Sequence, residues 1–384
     1  MSLRLGRIVL LAGMFASQDL FPAGIVQAAT EAGQWEQRAA RSIVGESPAS
    51  CASLPGRDCL VAAAARLAGR ISDPVWRGYS FAACAVAGGG AQHYLGEARR
   101  AQALVAEGDD QSSLDASMAA MLGDFAAARA AAAAILEPAR RSFAYSAISA
   151  VAQERASPRE SLLALDGGFA AAEEVADPWS RALAFAALVE PALRPGARDV
   201  AHAALERADA AARLVVDGWM RGLAVSRIAE GRAALGDAEG AAAMARALPD
   251  AATRDRGLSR VALALAISDP LGAGRIASSI SGDLPRGEAL AAVAAARARL
   301  EPRVATTLLA EARRVVARAA AEEEDGYDLS TALQRIAAAE RALGDDAGAA
   351  STLAAALDVI ADIPEERWRA QALGEVMSMA STLP

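Results

Sequence analysis

Apolar residues return along this chain in steps of four and three behind an arginine. The phrase reads Arg77-Phe81-Cys84, Arg141-Tyr145-Ile148 and Arg181-Phe185-Leu188, then Arg221-Val225-Ile228, Arg286-Leu290-Val293 and Arg369-Leu373-Val376. Steps of four and three place the three residues on one stripe of a helix. In two further copies, Leu114 with Met118 and Met121, and Leu329 with Leu333 and Ile336, a leucine stands where the arginine would be. A phrase recurring roughly every 30 to 40 residues, or about twice that across a weak copy, predicts stacked helical repeats. Such arrays build rods and curved surfaces and do not by themselves supply reaction chemistry.

Between these stripes lie turn signals. Leu122-Gly123-Asp124, Leu235-Gly236-Asp237 and Leu343-Gly344-Asp345 each end one apolar-periodic segment and open an alanine-rich one. Weaker copies are Ile267-Ser268-Asp269, Leu300-Glu301-Pro302 and Leu193-Arg194-Pro195. Glycine tolerates the left-handed geometry of a helix end, and aspartate caps the helix that follows. Residues 217–250 are the clearest unit: Asp217 as N-cap, a helix from Trp219, a break at Gly236-Asp237, a second helix to Leu248 and a stop at Pro249. This is an antiparallel αα-hairpin. Small residues near the start of the second helices, Ala126, Ala241, Ala273 and Ala349, let the two helices approach closely.

Gly236-Asp237, Ala241 and Pro249, with Gly344-Asp345 and Ala349, give the chain a resemblance to the tetratricopeptide repeat family, whose unit is about 34 residues. The Trp, Leu-Gly and Tyr pattern of that family's first helix is not reproduced. The resemblance implies an all-α solenoid, a superhelix of about nine antiparallel αα-hairpins with a C-terminal capping helix, carrying a protein-binding surface. Hairpins are predicted to start near residues 74, 111, 138, 178, 218, 253, 284 and 328, with a last helix over 364–379. Residues 29–73 are expected to form an N-terminal capping hairpin and 74–384 the solenoid. The segments 108–113 and 322–326 read as loops.

The chain of 384 residues is 54% hydrophobic but only 4% aromatic, and much of the apolar content is alanine, the best helix former. A formal charge of -8 argues against a nucleic-acid binder that relies on a broad basic surface. The first residues resemble an export signal over 1–28: Arg4 and Arg7, an apolar run from Ile8 to Ala16, and Val26-Gln27-Ala28 as a small-residue cleavage site. An uncleaved anchor or a buried first helix is the alternative. The run is short of the roughly 20 residues of a membrane span, so a periplasmic or secreted protein with no membrane span in its mature chain is expected. Cys51 and Cys59 flank a turn-rich segment and are candidate disulfide partners, with two free thiols or a Cys59–Cys84 bridge as alternatives.

The candidate site residues are those that repeat. Arg77, Arg141, Arg181, Arg221, Arg286 and Arg369 are read first as a structural clasp, because an acid lies four residues before most of them (Asp73, Glu137, Asp177, Asp217, Glu365) and could cap the helix and pair with the arginine. The second reading is an arginine ladder gripping an acidic or C-terminal carboxylate ligand. Trp76, Trp179, Trp219 and Trp368 stand one or two residues before a repeated arginine, as staples for the preceding hairpin or as partner anchors. His93 and His202 lie in no metal-binding spacing, and no phosphate cradle or nucleophile elbow is present, so no cofactor, metal or catalytic residue is expected. The expected partner is a protein or peptide, with self-association as the second reading and an all-helical barrel enzyme as the third. A closed array with clustered acids would favour the enzyme.

Overall fold

The computed structural model describes residues 56–88, 92–194, 196–321 and 326–384. Those residues form eighteen α-helices and no strand. They divide into two compact units, 106–293 and a discontinuous one made of residues 56–105 with 294–384; the leader-like segment and Cys51 lie outside the described residues.

The continuous unit contains α4 (Asp109–Leu122), α5 (Phe125–Ala133), α6 (Pro138–Glu154), α7 (Pro158–Glu174), α8 (Pro178–Ala192), α9 (Arg198–Ala212), α10 (Gly218–Leu235), α11 (Ala238–Arg246), α12 (Ala251–Leu265) and α13 (Pro270–Ser278). Successive helices pair as hairpins, α4 with α5 through α12 with α13. Each first helix packs on the next first helix, giving the row α4, α6, α8, α10, α12, while each second helix also touches the following first helix. The chain passes into the other unit within α14 (Asp283–Arg297).

The hairpin turns follow from their residues. Gly123, Gly236 and Gly344 have φ of 87°, 104° and 86°, the left-handed region. At each, the glycine N–H and the next N–H return to the carbonyls three and five residues back, closing the end of the first helix. Asp124, Asp237 and Asp345 then accept the amides of Ala127, Gly240 and Gly348 and start the second helix. The turn between α6 and α7 makes the same bonds with Ala156 at φ 54°, so one turn runs without its glycine. Four residues after the capping aspartate sits a buried alanine: Ala128, Ala241, Ala273 and Ala349 are 0–1% exposed. Ala126, the sequence-based choice for the first of these, is exposed, and Ala128 takes its place.

Alanine spacing also sets how the second helices pack. In α9, Ala201, Ala204, Ala208 and Ala211 form one buried ridge while Glu206, Arg207 and Arg213 face water. The first helices are buried on more than one side: in α6, Ser142 to Ala144 and Ser146 to Ser149 are all buried. Small side chains let these helices meet backbone. Ser146 Oγ donates to the carbonyl of Ala187 in α8 at 2.7 Å, and Ser226 Oγ to that of Gly222 in its own helix at 2.9 Å.

The discontinuous unit contains α1 (Arg57–Ala68), α2 (Pro74–Ala87) and α3 (Gln92–Gln102), with α15 (Pro302–Ala321), α16 (Gly326–Ala342), α17 (Asp346–Ala361) and α18 (Glu366–Ala380). Here α2 pairs with α3 and α16 with α17. The last helix is not a solitary cap. It follows α16 in the row of first helices, packs on α2 as the next member, and has α1 beside it where a second helix belongs. α1 in turn touches α17 and α2, the contacts a second helix makes with its neighbours.

Two sequence expectations shift. Residues 109–113 are the first turn of α4 rather than loop, because Asp109 and Asp110 suit the positive end of the helix dipole. Of the segment 322–326, only Gly326 is described, and it opens α16.

Candidate functional site: the knot between repeats

Most of the described passages from a second helix to the next first helix are built from a short motif: a buried aliphatic residue, a variable residue, an N-cap, then the new helix. It reads Ile71-Ser72-Asp73-Pro74, Ile135-Leu136-Glu137-Pro138, Val215-Val216-Asp217-Gly218 and Leu248-Pro249-Asp250-Ala251. The carboxylate of the N-cap accepts amides of its own helix: Asp73 from Val75 and Trp76, Glu137 from Ala139 and Arg140, Asp177 from Ser180, Asp217 from Met220. Proline at the first helical position has no N–H to leave unpaired.

With the N-cap carboxylates so engaged, the repeated arginines turn elsewhere. Arg77, Arg141 and Arg221 donate to the carbonyls of Ile71, Ile135 and Val215, six residues back, at 3.2, 3.0 and 3.5 Å. Arg369 gives Nε and Nη2 to the carbonyl of Ile363 at 3.0 and 2.6 Å. Arg181 reaches the Glu173 carbonyl at 3.2 Å instead. These oxygens close the preceding helix or follow directly on it, where carbonyls lack intrahelical partners and a cation is favoured. The expected pairing with an acid one turn earlier is therefore corrected: Asp73, Glu137, Asp177 and Asp217 cap amides, Glu365 makes no side-chain cap bond, and the arginines cap carbonyls. Arg141 adds an ion pair with Glu174, and Arg181 one with Glu173 at 3.5 Å. Arg286 is half-buried at the corresponding place in α14. Leu114 and Leu329, at the arginine position in two repeats, are 0% exposed, so that position borders the core.

Sequence reading missed one member. Arg254 donates to the carbonyl of Leu248 at 3.3 Å, and Asp250 caps α12 through Thr253. The signal was present as Arg254-Leu258-Val261 with an acid four residues earlier.

A second carboxylate, from the preceding first helix, closes three of these knots. Asp109 accepts the amides of Leu136 and Glu137 at 2.7 and 2.9 Å. Asp255 accepts those of Ser281 and Gly282 at 3.2 and 2.7 Å. Glu366 accepts those of Ser72 and Asp73 at 2.7 and 2.9 Å, and the Ser72 hydroxyl as well. Burial pushes the Glu366 carboxyl up, but the bonds from Ser72 and Asp73 and the nearby Arg369 outweigh it and hold the group below its ordinary value of 4.5.

The tryptophans do not form one set. Trp179 is 6% exposed in the core of α8, whereas Trp219 is 50% exposed. Trp76 lies against Tyr79 with ring centroids 5.9 Å apart, and Trp368 against Tyr327 at 5.2 Å with the Arg367 guanidinium 4.8 Å from its ring centroid. Tyr327 and Glu375 are joined at 3.2 Å beside Gln371. Cys59 is disulfide-bonded, and Cys84 is a buried free thiol whose pKa burial raises to about 12. The Cys59–Cys84 alternative is thereby removed. His93 and His202 are exposed.

Several large apolar residues of the continuous unit are exposed, Leu136 and Ile267 among them, and three lie close together in the sequence. Leu214, Val216 and Trp219, at the passage from α9 to α10, are 68%, 94% and 50% exposed. Separately, a hollow of about 410 Å³ runs along α9, lined by Leu205, Glu206, Asp209 and Arg213, with Arg232 and Leu235 at the far end of α10 opposite. Asp209 is held there by Arg213 at 2.6 Å and Arg232 at 3.6 Å. No helix among the described residues is long and apolar enough to cross a membrane. Comparisons of the chain with models of protein families, with curated proteins and with solved structures found no match in any of the three.

Proposed function

We propose that this protein is an exported interaction module or scaffold, a solenoid of about nine hairpins related to tetratricopeptide repeats, which holds a protein or peptide partner. The observation that carries this reading is the division of labour between the helices. First helices form the stacking row, and the recurring arginines and acids bind backbone of their own fold. Recognition is left to what differs between repeats: the second helices, the passages between them, and the parts of α10 that stacking leaves exposed. The exposed Leu214, Val216 and Trp219 supply an apolar anchor, and the hollow of α9 supplies charged groups on the same pair of helices, the composition of an interface. The leader-like residues 1–28 and the bonded Cys59 support an oxidising compartment outside the cytosol. No cofactor and no catalytic role are proposed.

The self-assembly reading is less favoured. An open array exposes apolar stacking faces at both ends and needs caps. Here α18 and α1 cover one another, so the described ends offer no such face to a second copy.

The test uses the leader-less protein as bait on an envelope extract. Val216→Asp combined with Trp219→Ser should abolish capture of the wild-type partner while the Tm stays within a degree or two of wild type. Light scattering should give one mass across concentrations. Undiminished capture by that variant, or a mass rising with concentration, would turn the reading toward another face or toward self-assembly.

A further inference from the structure

We infer that α18 and α1 are two halves of one split repeat, so that the hairpin at the start of the described chain stays folded only while the last helix occupies its place. Three observations converge. α18 and α1 make the contacts of a first and a second helix, with each other, with α16 and α17 on one side and with α2 on the other. The carboxylate clamp obeys the same rule: Asp109 and Asp255 reach the N-cap of the next repeat 26 to 28 residues on, while Glu366 reaches Ser72 and Asp73 across separations of 294 and 293. The burial matches as well. Residues 370–374 and 376–380 of α18 are all buried, as are Leu60, Val61, Ala64 and Ala68 of α1.

A helix of twelve residues is marginal alone in water. α1 therefore owes its order to α2, α17 and α18, and two of these three lie near the other end of the chain. A contact of such separation forms late, because the loop must close before the contact rewards it. The same split covers the two stacking faces that an open array would leave bare.

Hydrogen exchange on the full-length protein tests this. Glu366→Ala should speed exchange in residues 60–87 and 366–380 together, by roughly ten-fold, while residues 139–234 keep their wild-type rates. Glu366→Gln, which keeps an acceptor, should produce the same joint pattern at smaller amplitude and serves if the alanine variant does not fold. Asp109→Ala is the control: it should speed residues 109–154 and leave 60–87 unchanged. Acceleration confined to 366–380, acceleration equally spread over 139–234, or no change in either variant would overturn the split repeat.

Discussion

Arginine is the residue through which this sequence is easiest to misread. Its repetition invites a ligand ladder, yet five of the guanidiniums, counting Arg254, cap a carbonyl six positions back. Lysine could not reproduce the two parallel donors that Arg369 lays on the Ile363 carbonyl. The bonds differ in quality, and this makes a graded prediction. Arg369→Ala should cost about 1–2 kcal/mol, Arg141→Ala a similar amount through its carbonyl and Glu174, and Arg221→Ala a few tenths, since its contact is 3.5 Å and the residue is exposed. Urea denaturation of the three variants measures the order. Equal losses at all three sites would show that the carbonyl bond does not set the contribution.

At the scale of the helix pair, spacing is set by what is missing from the side chains. A Cβ on Gly168 in α7 would stand 2.7 Å from Leu188 Cδ2 and 3.2 Å from Tyr145 Cβ, whereas one on Gly218 at the start of α10 meets nothing within 4 Å. Leu188 is 0% exposed and has little room to withdraw. Gly168→Ala should therefore destabilise by about 1–3 kcal/mol through overpacking. Gly218→Ala should be neutral or stabilise by up to about 1 kcal/mol through helix propensity. Thermal denaturation of the pair separates a steric need for glycine from a conformational one. The buried Glu340 of α16 illustrates another inter-helix device, taking Arg313 of α15 at 2.5 Å and the Thr352 hydroxyl of α17 at 3.0 Å.

For the molecule as a whole, the joining of its described ends in one unit makes a single carboxylate a reporter of integrity. Glu366 has its folded pKa depressed, so the stability it contributes is fully present above its ordinary value of 4.5 and is lost as pH falls through the folded value. The neighbouring charges in this knot are Asp73, Glu365, Arg369 and Arg77, which donates to the Ile71 and Ser72 carbonyls; Arg369 favours the ionised form. Wild type should thus lose stability as pH drops below about 4.5, and Glu366→Gln should lose less over the same range, the two converging at the acid end. Urea midpoints measured across pH would show it. Parallel curves would mean that Glu366 contributes nothing to acid sensitivity.

Much of the fold was legible in the sequence because its causes are local. A period of four and three, a glycine that must turn left-handed and an acid that caps the next amide act within a few residues, and hairpins predicted near 74, 138, 178 and 218 begin there. The same locality explains the misses. Asp109 looked like loop because its partners, Leu136 and Glu137, belong to the next repeat. The acid and arginine of these repeats looked like a pair because both suit a helix entrance, and only the folded passage shows that amides claim the acid at Asp73, Glu137, Asp177 and Asp217 while carbonyls claim the arginine. Nothing in the spacing distinguishes the buried Trp179 from the exposed Trp219. Tertiary structure alone decided that the last helix is a repeat in its own right, completed by the first described one. That choice depends on apolar faces meeting across almost the full length of the chain, and no local pattern records which distant face a helix will bury.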